Sequence, residues 1–388
     1  MSVKGRNDSL SSSIDPESPW TFDTTRDSQD YNLTRAQCAA TFSGLFAELD
    51  RAVAHRKTAG PITPGDIDIN WSSGAIRAMI HNRQLSILSH TLLPSSHHRM
   101  RALAILHAIN RAVLTSRDPV PNIEFAFSIA DIADPYRLGR TIWALSRRPE
   151  EKEKWLMSDF GYWSWPLGQV GEYSQIRAEI VDAERGVEFK DKIPQAVWRG
   201  AAGTNALRKD LLRVTKGKNW ADVRELFWAS ATELRPESAS LALSIPAHCR
   251  YQFVVQTEGR SYSGRGKYLQ NCRSVFVAHK RVWIEPHHAL LVPAGPDQNY
   301  VEVESDFSDL EGKIQDLRKR PAEAERIARN GVKVFRDRVL TPAAQACYWR
   351  RLFEAWASVS FEPEAWEMVE VKGRVARKLR GVPFESFV

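Results

Sequence analysis

Residues 251–276, YQFVVQTEGRSYSGRGKYLQNCRSVF, hold the densest set of groups in the chain that could do chemistry. Gly259, Gly264 and Gly266 are interleaved with Arg260, Ser261, Tyr262, Ser263, Arg265 and Lys267. Cations in the first turn of a helix are disfavoured, because the free N–H groups there already carry partial positive charge. If Ser263 caps a helix, Arg265 and Lys267 fall in that turn. The placement becomes favourable once an anion sits between the backbone N–H groups and the two side chains. A diphosphate is the natural candidate. The competing reading is a solvated basic loop, and glycine-loop spacing alone does not separate the two.

The flanks indicate what positions this loop. Residues 251–255 form an apolar, β-branched run that reads as a buried strand, 267–273 as a helix and 274–278 as a second strand. Strand, glycine loop, helix and strand make half of an α/β nucleotide-binding unit. Asp131 is the second candidate. Residues 123–129 read as another buried strand, and in open α/β sheets ligands bind just past the carboxyl ends of strands. A carboxylate there can take a proton; the same residue type also serves as a turn former, the role assigned to Asp134 before Pro135. Further along, residues 34–57 and 95–116 read as helices and 75–88 as a hairpin turning at His81-Asn82-Arg83. His97, His98 and His107 share no metal-type spacing with Cys or carboxylates and read as surface or core histidines. Asp66-Ile-Asp68 spells D-x-D but lies before the hairpin, far from the loop, so no metal ligand is assigned.

With 388 residues the chain suits two domains of ordinary size. A net charge of +7 favours acidic partners, but no nucleic-acid recognition motif accompanies it, and no membrane span is visible. The polar, Ser- and Asp-rich residues 1–30 read as disordered. Four cysteines allow three pairings. Cys249 and Cys272 stand just before the two strands of the loop unit, which makes that pairing geometrically reasonable. Four buried free thiols are the alternative for a cytosolic chain.

Residues 257–275, TEGRSYSGRGKYLQNCRSV, resemble the signature loop of glycosyltransferase family 90, which holds the fungal capsule-associated glycosyltransferases and the animal Rumi-type protein O-glucosyltransferases. Other segments follow the family's order: the strand ending at Asp131, the aromatic loop DFGYWSWPLG at 159–168, Trp198-Arg199-Gly200, LRKD at 207–210, NYVEVESDFSDL at 299–310 and CYW at 347–349. The resemblance covers about residues 35–360. Ala201 departs from the small hydroxyl residue of animal members, with Thr204 as its substitute; Asn299 and Glu302 replace a usual His and Pro. The spelling is closer to the fungal members.

The resemblance implies an α/β fold of the GT-B kind, two Rossmann-like domains facing across a cleft with a C-terminal helix crossing back. It divides the chain into an acceptor-side domain at 31–185, a UDP-sugar domain at 186–345, and a returning helix with basic tail at 346–388. It implies Asp131 as catalytic base. Arg199, Arg208, Gly259, Arg260, Ser261, Tyr262, Ser263, Arg265, Lys267 and Glu285 become donor-binding, and Trp163, Trp165, Pro166 and Gly168 line the acceptor or sugar cleft. It pairs Cys38 with Cys347, besides Cys249 with Cys272. The activity implied is inverting transfer of xylose or glucose from a UDP-sugar to a glycan or glycoprotein hydroxyl, with no tightly bound cofactor and no essential metal. A non-catalytic UDP- or sugar-binding protein on the same fold is the alternative. The family location is the secretory pathway, in the Golgi or endoplasmic reticulum lumen; no leader is visible, so either one is missing from this chain or it is a cytosolic relative.

Overall fold

The structure, a computed structural model, describes residues 20–165, 170–230, 233–371 and 373–387. Two sheets dominate. The first has six strands in the order Val382–Pro383, Gln84–His90, Ala75–His81, Ile123–Ser128, Ile142–Ala144, Lys154–Leu156. Its hairpin turns at Asn82 and Arg83, at φ 49° and 63°. Two successive positive φ values match the twist of the flanking strands. The hairpin lies antiparallel to Ile123–Ser128, whereas the last three strands run parallel. The first half therefore departs from a purely parallel Rossmann sheet.

The second sheet is wholly parallel, in the order Val301–Val303, Val275–His279, Tyr251–Gln256, Ile193–Gly200, Ala221–Glu225. Parallel sheets are covered on both faces, and the side chains divide accordingly. Trp198, Phe253, Val255, Val275 and Val277 belong to one core, Val197, Val254, Phe276 and Ala278 to the other. Numbered along this half, the strand order is 2-1-3-4-5, the doubly wound arrangement whose crevice opens between the first and third strands.

The helix Pro342–Ala357 returns to the first sheet. Phe125 and Trp143 stack at 4.0 Å, Phe353 lies 6.2 Å from Trp143, and Trp356 donates its indole N–H to the Glu124 carbonyl at 2.9 Å. The chain after it forms a hairpin, Trp366–Val371 with Arg374–Leu379, whose basic second strand is largely exposed, and then the edge strand of the first sheet. At the other terminus residues 1–19 lie outside the described residues. Residues 20–30, expected to be disordered, pack on the body: Thr24 donates to the Asp337 carbonyl at 2.9 Å and Asp27 is buried.

Cys38 is bonded to Cys347 and Cys249 to Cys272, with Cα–Cα distances of 5.5 and 5.0 Å. The first bond closes a sequence separation of 309 residues and the second one of 23. Cross-links over longer loops remove more unfolded-chain entropy. Cys38→Ser is therefore expected to lower the unfolding free energy more than Cys249→Ser, each by about 2–5 kcal/mol in denaturant titrations. Equal midpoints for both variants and the parent chain would contradict this.

Candidate active site

A cavity of about 570 Å³ opens at the carboxyl ends of Ile193–Gly200 and Tyr251–Gln256, where the doubly wound order reverses. Gly200, Ala201, Thr204 and Arg208 line it from the first strand's loop, and Arg260, Ser263 and Arg265 from the signature loop. Asn205 couples the two loops. Its carbonyl oxygen caps the helix Ala206–Thr215 through the Arg208 N–H at 3.1 Å, and its amide donates to the carbonyls of Glu258 and Gly259 at 2.9 and 2.8 Å. Gly259 is closely approached: a Cβ there would sit 3.1 Å from the Tyr262 carbonyl and 3.6 Å from Arg208 Nη2. Glu258 is buried, accepts the Val282 and Trp283 N–H groups at 2.9 and 2.8 Å, and has its pKa raised by burial.

Two guanidiniums meet in this cavity without a counter-charge among the described residues. Arg208 donates to the carbonyls of Glu258 and Ala201, each at 3.2 Å, and to the Thr204 hydroxyl at 3.0 Å. Arg265 donates to the Arg199 carbonyl. Their Cζ atoms lie 5.8 and 5.6 Å from the Trp198 ring centroid. Neither feels a carboxylate among the described residues. Burial, and then Arg208, pull the pKa of Arg265 down to about 9, and burial pulls Arg208 down to about 10. Both stay protonated at neutral pH, so the arrangement asks for an anion.

Asp131 stands past the end of Ile123–Ser128, on the wall of a second cavity of about 600 Å³. Among the described residues only Arg101 donates to its carboxylate, Nη1 to Oδ1 at 2.8 Å. Arg101 also donates to the Ile129 carbonyl at 3.0 Å and lies 4.4 Å over the Phe160 ring, so its guanidinium is fixed on three sides. His97, one helical turn before Arg101, lines the same cavity, and burial followed by the Arg101 charge lowers its pKa. Trp71 and Tyr136 complete an aromatic rim. The two cavities meet at exposed Arg260, which lines both. Beside it the Ser261 hydroxyl donates to the Asp131 carbonyl at 2.5 Å. Among the described residues no three His, Cys, Asp or Glu side chains converge as a metal site.

The sequence profile described as "Glycosyl transferase family 90" matches residues 37–383. The chain belongs to glycosyltransferase family 90. Human Protein O-glucosyltransferase 1 is 22% identical over 208 residues, 52% of each chain. Protein O-glucosyltransferase 2 of Danio rerio is 23% identical over 63% of this chain and 49% of its own, and the O-glucosyltransferase rumi homolog of Anopheles gambiae 26% identical over 50% and 48%. The matched region thus spans about half the length of these relatives.

Several family 90 positions stand elsewhere than the spacing predicts. The helix after the signature loop is only Gly266–Leu269, and Ser263 does not cap it; Arg265 occupies the cap position with no side-chain bond. The dipole of so short a helix is small, so the anion site rests on the guanidiniums. Lys267 turns inward. It is 1% exposed, its ammonium 2.9 Å from Asp159 and 2.8 Å from the Gly264 carbonyl, and it does not line the cavity. Removing one partner of a buried ion pair strands the other charge, at about 3–5 kcal/mol. Lys267→Met is thus expected to lower the melting temperature sharply while the folded protein still binds an anion in the first cavity. A stable variant that no longer binds one would return Lys267 to that cavity.

Ser261 and Tyr262 dock the loop onto the first half rather than lining the first cavity: Ser261 through Asp131, Tyr262 as a member of the first sheet's core. Arg199 lines the cavity, but its guanidinium is held by Asp222 at 2.8 Å and by the Leu241 carbonyl at 2.7 Å. Glu285 is buried against Arg281 at 3.1 Å, outside the cavity lining, and burial pushes its carboxyl up to about 7. Trp163 stacks on His107 at 5.0 Å with Arg111 over its ring at 3.9 Å, away from both cavities. Trp165 lies on a two-residue strand, Ser164–Trp165, and its side chain, like Pro166 and Gly168, lies outside the described residues. Asn299, in the family's His position, accepts from the Val292 N–H at 3.0 Å and donates to the Leu290 carbonyl at 2.8 Å, a structural role.

Proposed function

We propose that this chain is an inverting glycosyltransferase that moves a sugar from a UDP-sugar to a hydroxyl group. The observation that carries the reading is the junction at Arg260, with an uncompensated guanidinium pair on one side and a carboxylate held by Arg101 on the other. The halves play the GT-B parts, residues 31–185 on the acceptor side, 186–345 on the donor side and 346–388 returning to the first. Asp131 takes the proton of the acceptor hydroxyl as its oxygen attacks the anomeric carbon. The bond from that carbon to the diphosphate oxygen breaks, UDP leaves with the electron pair, and the configuration inverts. Arg208, Arg265 and Arg260 meet the charge that develops on the leaving group, and donors fixed in advance of the reaction are often the largest catalytic term. Guanidiniums in these positions leave no step that calls for a metal, and activity is expected to persist in chelator.

Glucose is the proposed sugar, because the relatives are named as O-glucosyltransferases. The aromatic rim of Trp71 and Tyr136 suits a sugar ring, which favours a glycan or glycosylated acceptor. Two disulfides fit an oxidising compartment, in line with the secretory pathway. No helix among the described residues is long and apolar enough to cross a membrane. The test is UDP release from a panel of UDP-sugars, with and without glycan acceptors. Release from one sugar names the donor. Tight UDP binding with no turnover of any sugar would make the chain a binding protein on the same fold.

A further inference from the structure

One polar side chain in the donor cavity has no partner for half of its ring. His248 ends the short helix Ile245–His248 and lines the cavity beside Leu243, Ile245 and Tyr268. It is 3% exposed. Its Nδ1 lies 2.8 Å from the Ser244 carbonyl oxygen. A carbonyl only accepts, so Nδ1 carries the proton. Burial, with the Arg265 charge behind it, pulls the ring's pKa down to about 4, so the imidazole is neutral at physiological pH. Nε2 is then a bare lone pair, buried and without a hydrogen-bond partner among the described residues. Leaving a buried acceptor unpaired is unfavourable, and a ligand that donates to it recovers the loss. A second orphan lines the same cavity: Nε–H of Arg265, a buried donor without a partner among the described residues.

The rest of the lining indicates which portion of a donor would supply the missing hydrogen. Leu226, Trp228 and Leu234 come from the segment after Ala221–Glu225, the outermost strand, two strands removed from the loop that carries Ser261 to Asp131. The reacting sugar must lie on the Asp131 side. The apolar lining on the far side, with an aromatic ring, suits a nucleobase. We infer that His248 positions the nucleoside of the donor, its Nε2 accepting a hydrogen bond from an N–H or O–H of that nucleoside while Arg208 and Arg265 hold the diphosphate. The assignment rests on the donor-site reading above and adds to it a residue that selects the ligand. A uracil imide N–H satisfies the histidine alone. A ribose hydroxyl also satisfies the histidine and keeps lone pairs free to accept from a donor such as Arg265 Nε–H.

The test is a set of dissociation constants for the full chain. UDP is titrated into the wild type, His248→Phe and His248→Gln, with inorganic pyrophosphate as the second ligand. His248→Phe is expected to weaken UDP at least tenfold and leave pyrophosphate unchanged. His248→Gln, whose side-chain oxygen restores an acceptor, is expected to recover most of the loss. On the wild type, N3-methyl-UDP and the 2′- and 3′-deoxy forms separate the two sources: the analogue lacking the donated hydrogen binds weakly. If His248→Phe does not fold, these analogues decide alone, and equal binding of all of them overturns the assignment. Unchanged UDP affinity in His248→Phe, or an equal loss of UDP and pyrophosphate, also overturns it. A wild type that does not bind UDP at all overturns the donor-site reading, and the assignment falls with it.

Discussion

Asp131→Asn is expected to slow sugar transfer by about 10²–10⁴-fold, the range a positioned general base supplies, with the UDP dissociation constant unchanged. The substitution is close to isosteric. Asparagine can keep the hydrogen bond from Arg101 to its side-chain oxygen and the Ser261 contact to its backbone carbonyl. What it loses is the capacity to take a proton. The comparison that matters is with His97 on the same cavity wall, whose lowered pKa also leaves a neutral proton acceptor. If Asp131 is the base, His97→Gln changes the rate far less than Asp131→Asn. Measured side by side as acceptor-dependent UDP release, the reverse ranking would transfer the role to the histidine. Equal, modest losses would mean that proton removal is not limiting and would sink the mechanism as written.

The parts that the sequence made legible are those that local chemistry dictates. The buried strands at 123–128, 251–256 and 275–279 follow from short apolar runs bounded by turn residues, and the hairpin at Asn82-Arg83 from residues flanked by alternating apolar positions. Asp131 was legible as a candidate because it stands just past a strand, where a doubly wound sheet puts its ligands; Arg208, in the first turn of the helix Ala206–Thr215, came only from the family resemblance. The side chains that fold back against the body were not readable. Lys267 sits in a glycine-rich basic stretch, and nothing local distinguishes a lysine that faces an anion from one paired with Asp159, a residue 108 positions away. Ser261 and Tyr262 belong to the same stretch but serve the contact between the halves. That contact depends on how two sheets meet, which periodicity does not encode. Ser308 and Glu311 illustrate the same limit. Their spacing reads as a capping box, yet Glu311 accepts from the Trp220 indole at 2.9 Å and pairs with Lys218 at 2.8 Å, and Asp309 takes the cap position.

Arg101 and His97 were missed for a related reason. Their helix, Ser96–Leu114, announces itself by its apolar face. A polar residue near its start reads as solvated unless the strand end beside it is already in place. His248 carries even less signal, a single histidine in a short segment between two larger elements. Its meaning emerges only from what does not bond to it. In each case the informative quantity is a long-range partner or the lack of one, and neither is a property of spacing.

The same lack of partners makes a prediction at Arg265 with two signs. Arg265→Met is expected to weaken UDP by about 10–100-fold, since a hydrogen bond between charged groups contributes about 1.5–3 kcal/mol and about 1.4 kcal/mol is a factor of ten. The same variant is expected to melt at a higher temperature than the parent when no ligand is present. Arg265 and Arg208 share a cavity with no carboxylate among the described residues, and burial opposes both charges. Replacing such a cation by an apolar side chain of similar volume relieves desolvation and like-charge repulsion together. The hydrogen bond it gives up, to the Arg199 carbonyl, is a single neutral acceptor, and the Arg265 Nε–H has no partner among the described residues. Relief should therefore exceed loss. Arg208→Met makes a useful partner, because its three hydrogen bonds to the loop backbone and Thr204 tie the two loops together and oppose the gain. Melting curves with and without UDP decide the matter. A stabilised Arg265→Met that no longer shifts with UDP identifies a cation kept for its ligand at the expense of the fold. A destabilised variant with an intact UDP shift would make Arg265 a structural strut and leave the diphosphate to Arg208 and Arg260.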